Sequence, residues 1–272
     1  MKEYQKFAEQ LARKAGIIMK EYFTVGVDYQ TKSDNTPLTI ADQKINDLVI
    51  DEISKEFPDH SINGEEGDHM VEKSEYLWVC DPIDGTKPFT LGIPVAVFSL
   101  ALLKDGEVIV GVVYDPFCDR MYSASKGNGA YLNNVKMNVS KKTEFAGMIA
   151  EQEIYRPGKY NIEPLVTELY GKDIRFLGLC AFIYPSALVA AGQIDFTLFP
   201  HITAHDVAAI KILVEEAGGK VTDMYGNEQR YDQPINGALV SNGLIHDELV
   251  ALSKQLLSLM TDGKNKLVYT KK

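Results

Sequence analysis

An apolar segment that ends in two closely spaced aspartates restricts how this chain can fold. Residues 76–80 are a continuous apolar and aromatic run, and the sequence Asp-Pro-Ile-Asp-Gly-Thr follows directly at residues 81–86. The run predicts a buried strand, and Gly85 allows the backbone after it to approach a ligand closely. Mg²⁺ prefers carboxylate and carbonyl oxygens and is commonly held by one or two carboxylates together with phosphate oxygens. The segment therefore predicts a cation site on Asp81 and Asp84, although Asp-Pro and Asp-Gly are also ordinary turn pairs.

Further elements are compatible with a phosphate site beside this cation. If Thr86 opens a helical turn, the free N–H groups of that turn point toward an anion. Glu65 and Glu66 form an acidic pair between two glycines; adjacent carboxylates repel each other, which a cation relieves. Asp206 precedes an apolar helix, where it is either a helix-capping residue or a cation ligand. Asp42 falls in the first turn of another predicted helix, where negative charge is favourable.

Composition narrows the possible partners. The chain has 272 residues and a net charge of −10, and its short basic run is confined to the C-terminal tail, so a nucleic-acid polymer is not expected as a partner. A small phosphorylated metabolite stays compatible, because bound cations can invert the local field. No apolar run approaches the length of a membrane span, and the first residues open no signal region. Three widely spaced cysteines, without CxxC spacing, favour a reduced, cytoplasmic protein.

The pattern of elements differs between the two halves of the chain. Residues 1–140 predict two amphipathic helices and then a largely antiparallel sheet with a hairpin turn at Asp105-Gly106. Residues 141–272 alternate short strands and helices, among them a strand at 148–154, a helix at 186–191 and a last helix at 247–260. Alternating layers of helix and sheet predict an α/β fold of the layered α+β type, in which both halves form one compact unit.

Three segments, taken in order, resemble the signatures of the inositol monophosphatase family of metal-dependent, lithium-sensitive phosphatases. They are Gly-Glu-Glu at 64–66, Asp-Pro-Ile-Asp-Gly-Thr at 81–86, and Asp-Val-Ala-Ala at 206–209 before Glu-Ala-Gly-Gly at 216–219. Lys32 and residues 39–42 are similar to the N-terminal element of the family. The resemblance covers nearly the whole chain. It implies an αβαβα sandwich, a homodimer, and a phosphomonoesterase that uses two or three Mg²⁺ ions.

The resemblance also implies roles for individual residues. The metal ligands would be Glu65, Asp81, the Ile83 carbonyl, Asp84 and Asp206, with Asp81 between two ions. The substrate-binding residues would be Ile83, Asp84, Gly85, Thr86, Phe199 and Asp206. The catalytic residues would be Asp42, Thr86 and Glu65, with the Thr86 hydroxyl oriented by Asp42 to help activate the attacking water.

The substrate side departs from the inositol enzymes. Phe199 stands where they carry an acidic residue that contacts sugar hydroxyls; its ring either forms a wall of the pocket or points into the core. His205 replaces their tryptophan before the final aspartate. Lys87 resembles the residue found in the histidinol-phosphate and 3′-phosphonucleotide branches of the family. Three hypotheses follow: a phosphatase for inositol phosphate or another polyol or sugar phosphate, the same chemistry on histidinol phosphate or a 3′-phosphonucleotide, and a catalytically idle metal-binding regulator. Retention of the acidic residues together with Thr86 argues against the third.

Overall fold

The computed structural model describes residues 1–32, 37–152 and 158–259. The helices in these ranges are α1 (Lys2–Tyr22), α2 (Ile40–Glu56), α3 (Thr86–Thr90), α4 (Glu163–Tyr170), α5 (Ile183–Ala190), α6 (Ala208–Glu216) and α7 (His246–Leu256). None of them combines the length and apolar character needed to cross a membrane. The predicted strand end at 153–154 lies outside the described residues. The last helix, predicted to run to residue 260, ends at Leu256, because the chain turns extended at Leu257 and forms a short strand at Ser258–Leu259.

In the described part of the chain, the strands form two main sheets and two short ribbons. The strands are β1 (Tyr29–Thr31), β2 (Pro37–Thr39), β3 (Ser61–Gly64), β4 (Asp68–His69), β5 (Tyr76–Asp84), β6 (Val97–Lys104), β7 (Glu107–Asp115), β8 (Arg120–Ser125), β9 (Ala130–Leu132), β10 (Val135–Lys136), β11 (Ile149–Gln152), β12 (Tyr160–Asn161), β13 (Arg175–Phe176), β14 (Phe196–Phe199), β15 (Lys220–Thr222), β16 (Ala238–Ser241) and β17 (Ser258–Leu259). β1 pairs with β2, and β12 pairs with β17.

The first main sheet has eight strands in the order β10-β9-β8-β7-β6-β5-β3-β4. All neighbours are antiparallel except β3 and β5, which run parallel. Between β6 and β7, Asp105 and Gly106 have φ angles of 51° and 82°, the conformation that a tight two-residue hairpin requires. The predicted hairpin is confirmed, and β5, which carries the two aspartates, lies in the interior of the sheet.

The second main sheet has five strands in the order β13-β11-β14-β16-β15. β11 runs parallel to β13 and β14, whereas β16 is antiparallel to both of its neighbours. The carboxyl ends of β11 and β14 therefore meet at one edge, which is the usual location of ligand sites in sheets of this kind.

Three apolar cores hold five layers of helices and strands together. α1 and α2 cover one face of the first sheet, where Leu11, Ile45 and Trp78 are fully buried. α5 and α6 lie between the two sheets, and α4 and α7 cover the outer face of the second sheet. The layers are thus α, β, α, β and α, and the predicted αβαβα sandwich is confirmed.

Two further elements differ in detail from the sequence prediction. α5 begins at Ile183 instead of residue 186, because Pro185 lies in the first turn of the helix, where its missing N–H is not needed. The polar segment 68–75, which is typical of a loop, contains the short edge strand β4. The first sheet draws on residues 61–136 and the second on residues 149–241, and a division of the chain near residue 140 stays a prediction.

Candidate active site

The two aspartates lie where the regular pairing of β5 breaks. The β5–β6 ladder is regular as far as Asp81 opposite Ser99, and it resumes at Asp84 opposite Val97 with a shifted register. Such irregularities redirect side chains and occur beside active sites. The local sequence explains the break, because Pro82 cannot donate a ladder hydrogen bond.

The two aspartates of β5 and one from a distant part of the chain meet at this point. Asp81, Asp84 and Asp206 each offer a carboxylate oxygen, and these oxygens lie within 4.8 Å of one another. The side chain of Asp81 is 2% exposed and that of Asp84 is 6% exposed. Burial, followed by the charges of neighbouring carboxylates, raises the pKa of Asp81 well above its ordinary value, and burial raises the pKa of Asp84 to about 7. Buried carboxylates in this arrangement need a compensating cation.

Backbone donors at the start of α5 hold the Asp84 carboxylate. The N–H of Phe182 donates to Oδ1 at 2.9 Å, and the N–H of Tyr184 donates to Oδ2 at 2.9 Å. These bonds oppose the effect of burial on the Asp84 pKa. The sequence did not reveal these donors, because they lie about 100 residues from Asp84 and backbone N–H groups leave no residue signature.

Glu65 lies beside the three aspartates but outside their closest group. Lys32 donates to Oε1 of Glu65 at 2.6 Å and also contacts Oε1 of Glu66. Burial would raise the pKa of Glu65, but the charges of His205 and Lys32 hold it below its ordinary value. The predicted acidic pair therefore faces the site, with its charge balanced by a lysine in this structure.

Asp206 lies in the turn before α6 instead of at its cap. The helix begins at Ala208, and its N-cap position is Val207, which makes no side-chain capping bond. The hydroxyl of Thr203 donates to Oδ2 of Asp206, and His205 Nε2 lies 3.6 Å from the same oxygen. Asp206 therefore does not cap α6, and its carboxylate lies beside those of Asp81 and Asp84.

Asp42 and Thr86, whose pairing the resemblance implies, make their hydrogen bonds to other groups in this structure. Oδ2 of Asp42 accepts from the Thr39 N–H at 2.8 Å and from the Thr39 hydroxyl at 2.6 Å, which closes a capping box at the start of α2. The Thr86 hydroxyl donates to the Ile83 carbonyl at 2.9 Å. Each group is satisfied by a near neighbour in sequence, while Oδ1 of Asp42 is buried and has no hydrogen-bond partner among the described residues.

Gly85 connects β5 to the helical turn that starts at Thr86. Its φ angle is 81°, and a β-carbon at this position would lie 2.5 Å from the Val95 carbonyl oxygen. Only glycine combines this backbone conformation with this approach. The predicted helical turn after the aspartates is confirmed as α3.

Phe199 does not line the site, so its assignment as a substrate-binding residue is wrong. Its side chain is 2% exposed, and its ring centroid lies 4.4 Å from that of Phe182 and 5.1 Å from that of His201. Phe199 belongs to the core between the two sheets. The alternative that its ring points inward is confirmed, because Phe182 from α5 covers it.

The donor set fits a hard divalent cation. Asp81, Asp84 and Asp206 supply only oxygen donors, two of them are almost fully buried, and their mutual repulsion disfavours the fully ionised state. Among the described residues, no other group of three acidic, histidine or cysteine side chains converges in this way. Oxygen donors in a buried, acidic site favour Mg²⁺, Mn²⁺ or Ca²⁺ over thiophilic metals.

Fold and site together agree with one class of enzyme, the hydrolases of phosphate monoesters, in which acidic side chains and metal ions act on a phosphate group. Within this class the chain belongs to the inositol monophosphatase family, whose model matches residues 1–258. It is 35% identical over 254 residues to a fructose-1,6-bisphosphatase/inositol-1-monophosphatase of Thermotoga maritima, covering 92% of this chain and 96% of that one.

Two further likenesses bear on substrate and fold. The chain is 31% identical over 252 residues to a histidinol-phosphatase of Chlorobaculum parvum, covering 90% of this chain and 95% of that one. The solved structure of a Thermotoga maritima inositol monophosphatase superposes with a TM-score of 0.84 at 32% identity, covering 94% of this chain and 98% of that one. The chain is accordingly a phosphoric monoester hydrolase.

Proposed function

We propose that this enzyme is a Mg²⁺-dependent phosphomonoesterase that acts on a small phosphorylated polyol or sugar, such as an inositol monophosphate. The observation that carries the proposal is the convergence of Asp81, Asp84 and Asp206, whose oxygens lie within 4.8 Å of one another. The similarity to an enzyme named for both fructose bisphosphate and inositol phosphate supports the substrate class.

The residues that would hold two or three Mg²⁺ ions are Asp81, Asp84 and Asp206, with Glu65 and the Ile83 carbonyl completing the set. Bound Mg²⁺ supplies Lewis acidity toward water and toward the phosphate oxygens. The two backbone bonds on Asp84 keep its carboxylate in one orientation. Lys32 balances the charge of Glu65 and Glu66.

The remaining proposed groups act on the phosphate and on the proton of water. Gly85 and Thr86 present the backbone at the start of α3, where N–H groups favour an anion. Asp42 offers a buried Oδ1 atom without a partner among the described residues, which makes it an acceptor for a proton. Thr86 and Glu65 complete the proposed catalytic residues. In this structure the Thr86 hydroxyl donates to the Ile83 carbonyl.

Histidinol phosphate or a 3′-phosphonucleotide is the second candidate substrate. One observation favours it: the position that carries a hydroxyl-binding acid in the inositol enzymes is Phe199 here, and its ring is buried in the core. No carboxylate reaches the substrate from that position. The similarity to a histidinol-phosphatase agrees with this alternative.

A phosphate-release screen tests the proposal. Inositol 1-phosphate, fructose 1,6-bisphosphate, histidinol phosphate and adenosine 3′,5′-bisphosphate are each assayed with Mg²⁺ and with EDTA. We expect Mg²⁺-dependent release, with the highest kcat/KM on a polyol or sugar phosphate. A preference for histidinol phosphate or the nucleotide would favour the second candidate. Binding of Mg²⁺ without release from any ester would favour the idle regulator and contradict both.

A homodimer is proposed together with this function, on the strength of the family resemblance. Sedimentation equilibrium at micromolar concentration measures the mass in solution. A mass twice that of the chain is expected, and the mass of a single chain would contradict the dimer without affecting the proposed reaction.

A further inference from the structure

Tyr184 connects the Asp84 carboxylate to a buried polar cluster on another strand of the same sheet. Its backbone N–H donates to Oδ2 of Asp84 at 2.9 Å. Its hydroxyl donates to Oδ2 of Asp115 at 3.0 Å and accepts from Nη1 of Arg120 at 3.2 Å. Asp84 ends β5 and Asp115 ends β7, so a single residue of α5 is bonded to two strand ends of the first sheet.

The Asp115 end of this connection is rigid. Asp115 is fully buried, and its Oδ1 accepts from the N–H groups of Phe117 at 2.9 Å and Cys118 at 3.1 Å. Oδ2 is left for the Tyr184 hydroxyl. Hydrogen bonds to a charged group are stronger than neutral ones, and a buried carboxylate oxygen is costly to leave unpaired. The Tyr184 hydroxyl is therefore held in one place.

The position of α5 decides how Asp84 is oriented. α5 has eight residues, and its N-cap residue, Phe182, makes no side-chain capping bond. Side-chain hydrogen bonds tie its first turns to both sheets. Ser186 shares a bond of 2.7 Å with Thr197 of the second sheet, and the Tyr184 hydroxyl bonds Asp115 and Arg120 of the first. The Tyr184 hydroxyl therefore ties α5 to the sheet that carries Asp84.

We propose that Tyr184 is a positioning residue for the metal site. Its hydroxyl, held by Asp115 and Arg120, keeps the start of α5 in place, so that the N–H groups of Phe182 and Tyr184 orient Asp84 toward a bound cation. The proposal rests on the proposed function, because it assumes that Asp84 is a metal ligand. Residues that orient a ligand in this way typically change metal affinity by about 10–100-fold.

The chain offers a matched control in the same cluster. Tyr122, on β8, is fully buried, and its ring lies near Arg120 and Asp115. Among the described residues, its hydroxyl makes no bond to α5 or to Asp84. Tyr122→Phe therefore removes a buried hydroxyl beside Arg120 while the bond between the Tyr184 hydroxyl and Asp115 stays in place.

Direct Mn²⁺ binding, measured from the free-ion signal in electron paramagnetic resonance, is the main readout. Tyr184→Phe should raise the Kd for Mn²⁺ by about tenfold, whereas Tyr122→Phe should leave it unchanged. Steady-state kinetics should show a raised Mg²⁺ requirement for Tyr184→Phe, with kcat within about threefold of wild type at saturating Mg²⁺. Arg120→Met, which removes one partner of the hydroxyl and affects a partly exposed side chain, should raise the Kd by a smaller factor.

Results that contradict the role of Tyr184 can be distinguished from results that contradict the metal site. An unchanged Kd in Tyr184→Phe and Arg120→Met, or an equal loss in Tyr122→Phe, would overturn the positioning role while the metal site stands. If Asp84→Asn binds Mn²⁺ as wild type does, Asp84 is no ligand, and the proposed metal site and the role of Tyr184 fall together. If Tyr184→Phe does not fold, the Kd of Arg120→Met decides.

Discussion

At the scale of single residues, Gly85 is the position where backbone geometry and chemistry meet most closely. Its φ of 81° is accessible to other residues only with strain, and a β-carbon would meet the Val95 carbonyl oxygen at 2.5 Å. We expect Gly85→Ala to lower the free energy of unfolding by about 2–4 kcal/mol, more than the strain of the φ angle alone. Urea denaturation measures this loss.

Gly127→Ala is the control for that substitution. Gly127 has a similar φ of 75°, but a β-carbon there would meet nothing within 4 Å. Its replacement should cost only about 1 kcal/mol, the penalty of the backbone conformation. Equal losses at the two glycines would show that the contact with Val95 is unimportant.

Some residues of the site could be predicted from the sequence, and others could not. Asp81, Asp84 and Gly85 were recognisable because strand end, carboxylates and glycine follow one another in the chain. The direction of the Phe199 ring was not, because Phe182, which covers it, belongs to a different element. The Thr86–Asp42 bond was predicted from resemblance, and the structure replaces it with two local bonds whose competition a motif does not report.

At the scale of elements, the type of each main helix and strand followed from apolar periodicity, whereas contacts between elements did not. α5 illustrates this limit: its apolar residues predicted a helix, but its N–H bonds to Asp84 depend on how the sheets stack. The side-chain bonds that place it join residues separated by as many as 69 positions. Tertiary packing, which local patterns do not encode, therefore assembles the site.

The contact of α7 with β15 and β16 predicts a pH dependence of stability. His246 is fully buried; its Nε2 lies 2.9 Å from the Thr222 hydroxyl and its Nδ1 lies 2.8 Å from the Ser241 hydroxyl. Burial lowers the pKa of His246 from its ordinary 6.5 to about 4. Between these values the unfolded chain binds a proton that the folded chain does not. Stability is thus fully present above pH 6.5 and is lost as the pH falls to 4, by up to about 3 kcal/mol.

Urea denaturation of wild type and variants across this pH range measures that dependence. His246→Gln should be less stable at neutral pH but should lose less stability on acidification. His69→Gln, at an exposed position on β4, should keep the wild-type dependence. An unchanged slope in His246→Gln would show that other groups cause the acid sensitivity.

At the scale of the whole molecule, α6 joins the two halves of the chain. It packs on β7 of the first sheet and belongs to the core that the second sheet shares. Gly111 on β7 permits the close approach: a β-carbon there would lie 2.5 Å from Ile212 and 2.7 Å from the Ala209 carbonyl. A shared core of this kind predicts one cooperative unfolding transition for both halves.

Calorimetry of wild type and Gly111→Ala tests whether the two halves unfold in one transition. Gly111→Ala should lower the Tm of the single transition by several degrees, because the sheet and α6 must separate to admit the methyl group. Two transitions in wild type, or a variant in which only part of the heat shifts, would mean that residues 1–140 and 141–272 unfold independently.

Phosphate release by Asp84→Asn at saturating Mg²⁺ shows whether the reaction depends on these aspartates. The control is Asp51→Asn, which changes an exposed aspartate of α2. Asparagine keeps the shape of the side chain but removes the charge that a cation needs. With far-UV circular dichroism unchanged, Asp84→Asn should lose more than about 10²-fold in kcat/KM, and Asp51→Asn should lose nothing. Turnover by a folded Asp84→Asn variant within a few-fold of wild type would contradict a metal-dependent reaction centred on these aspartates.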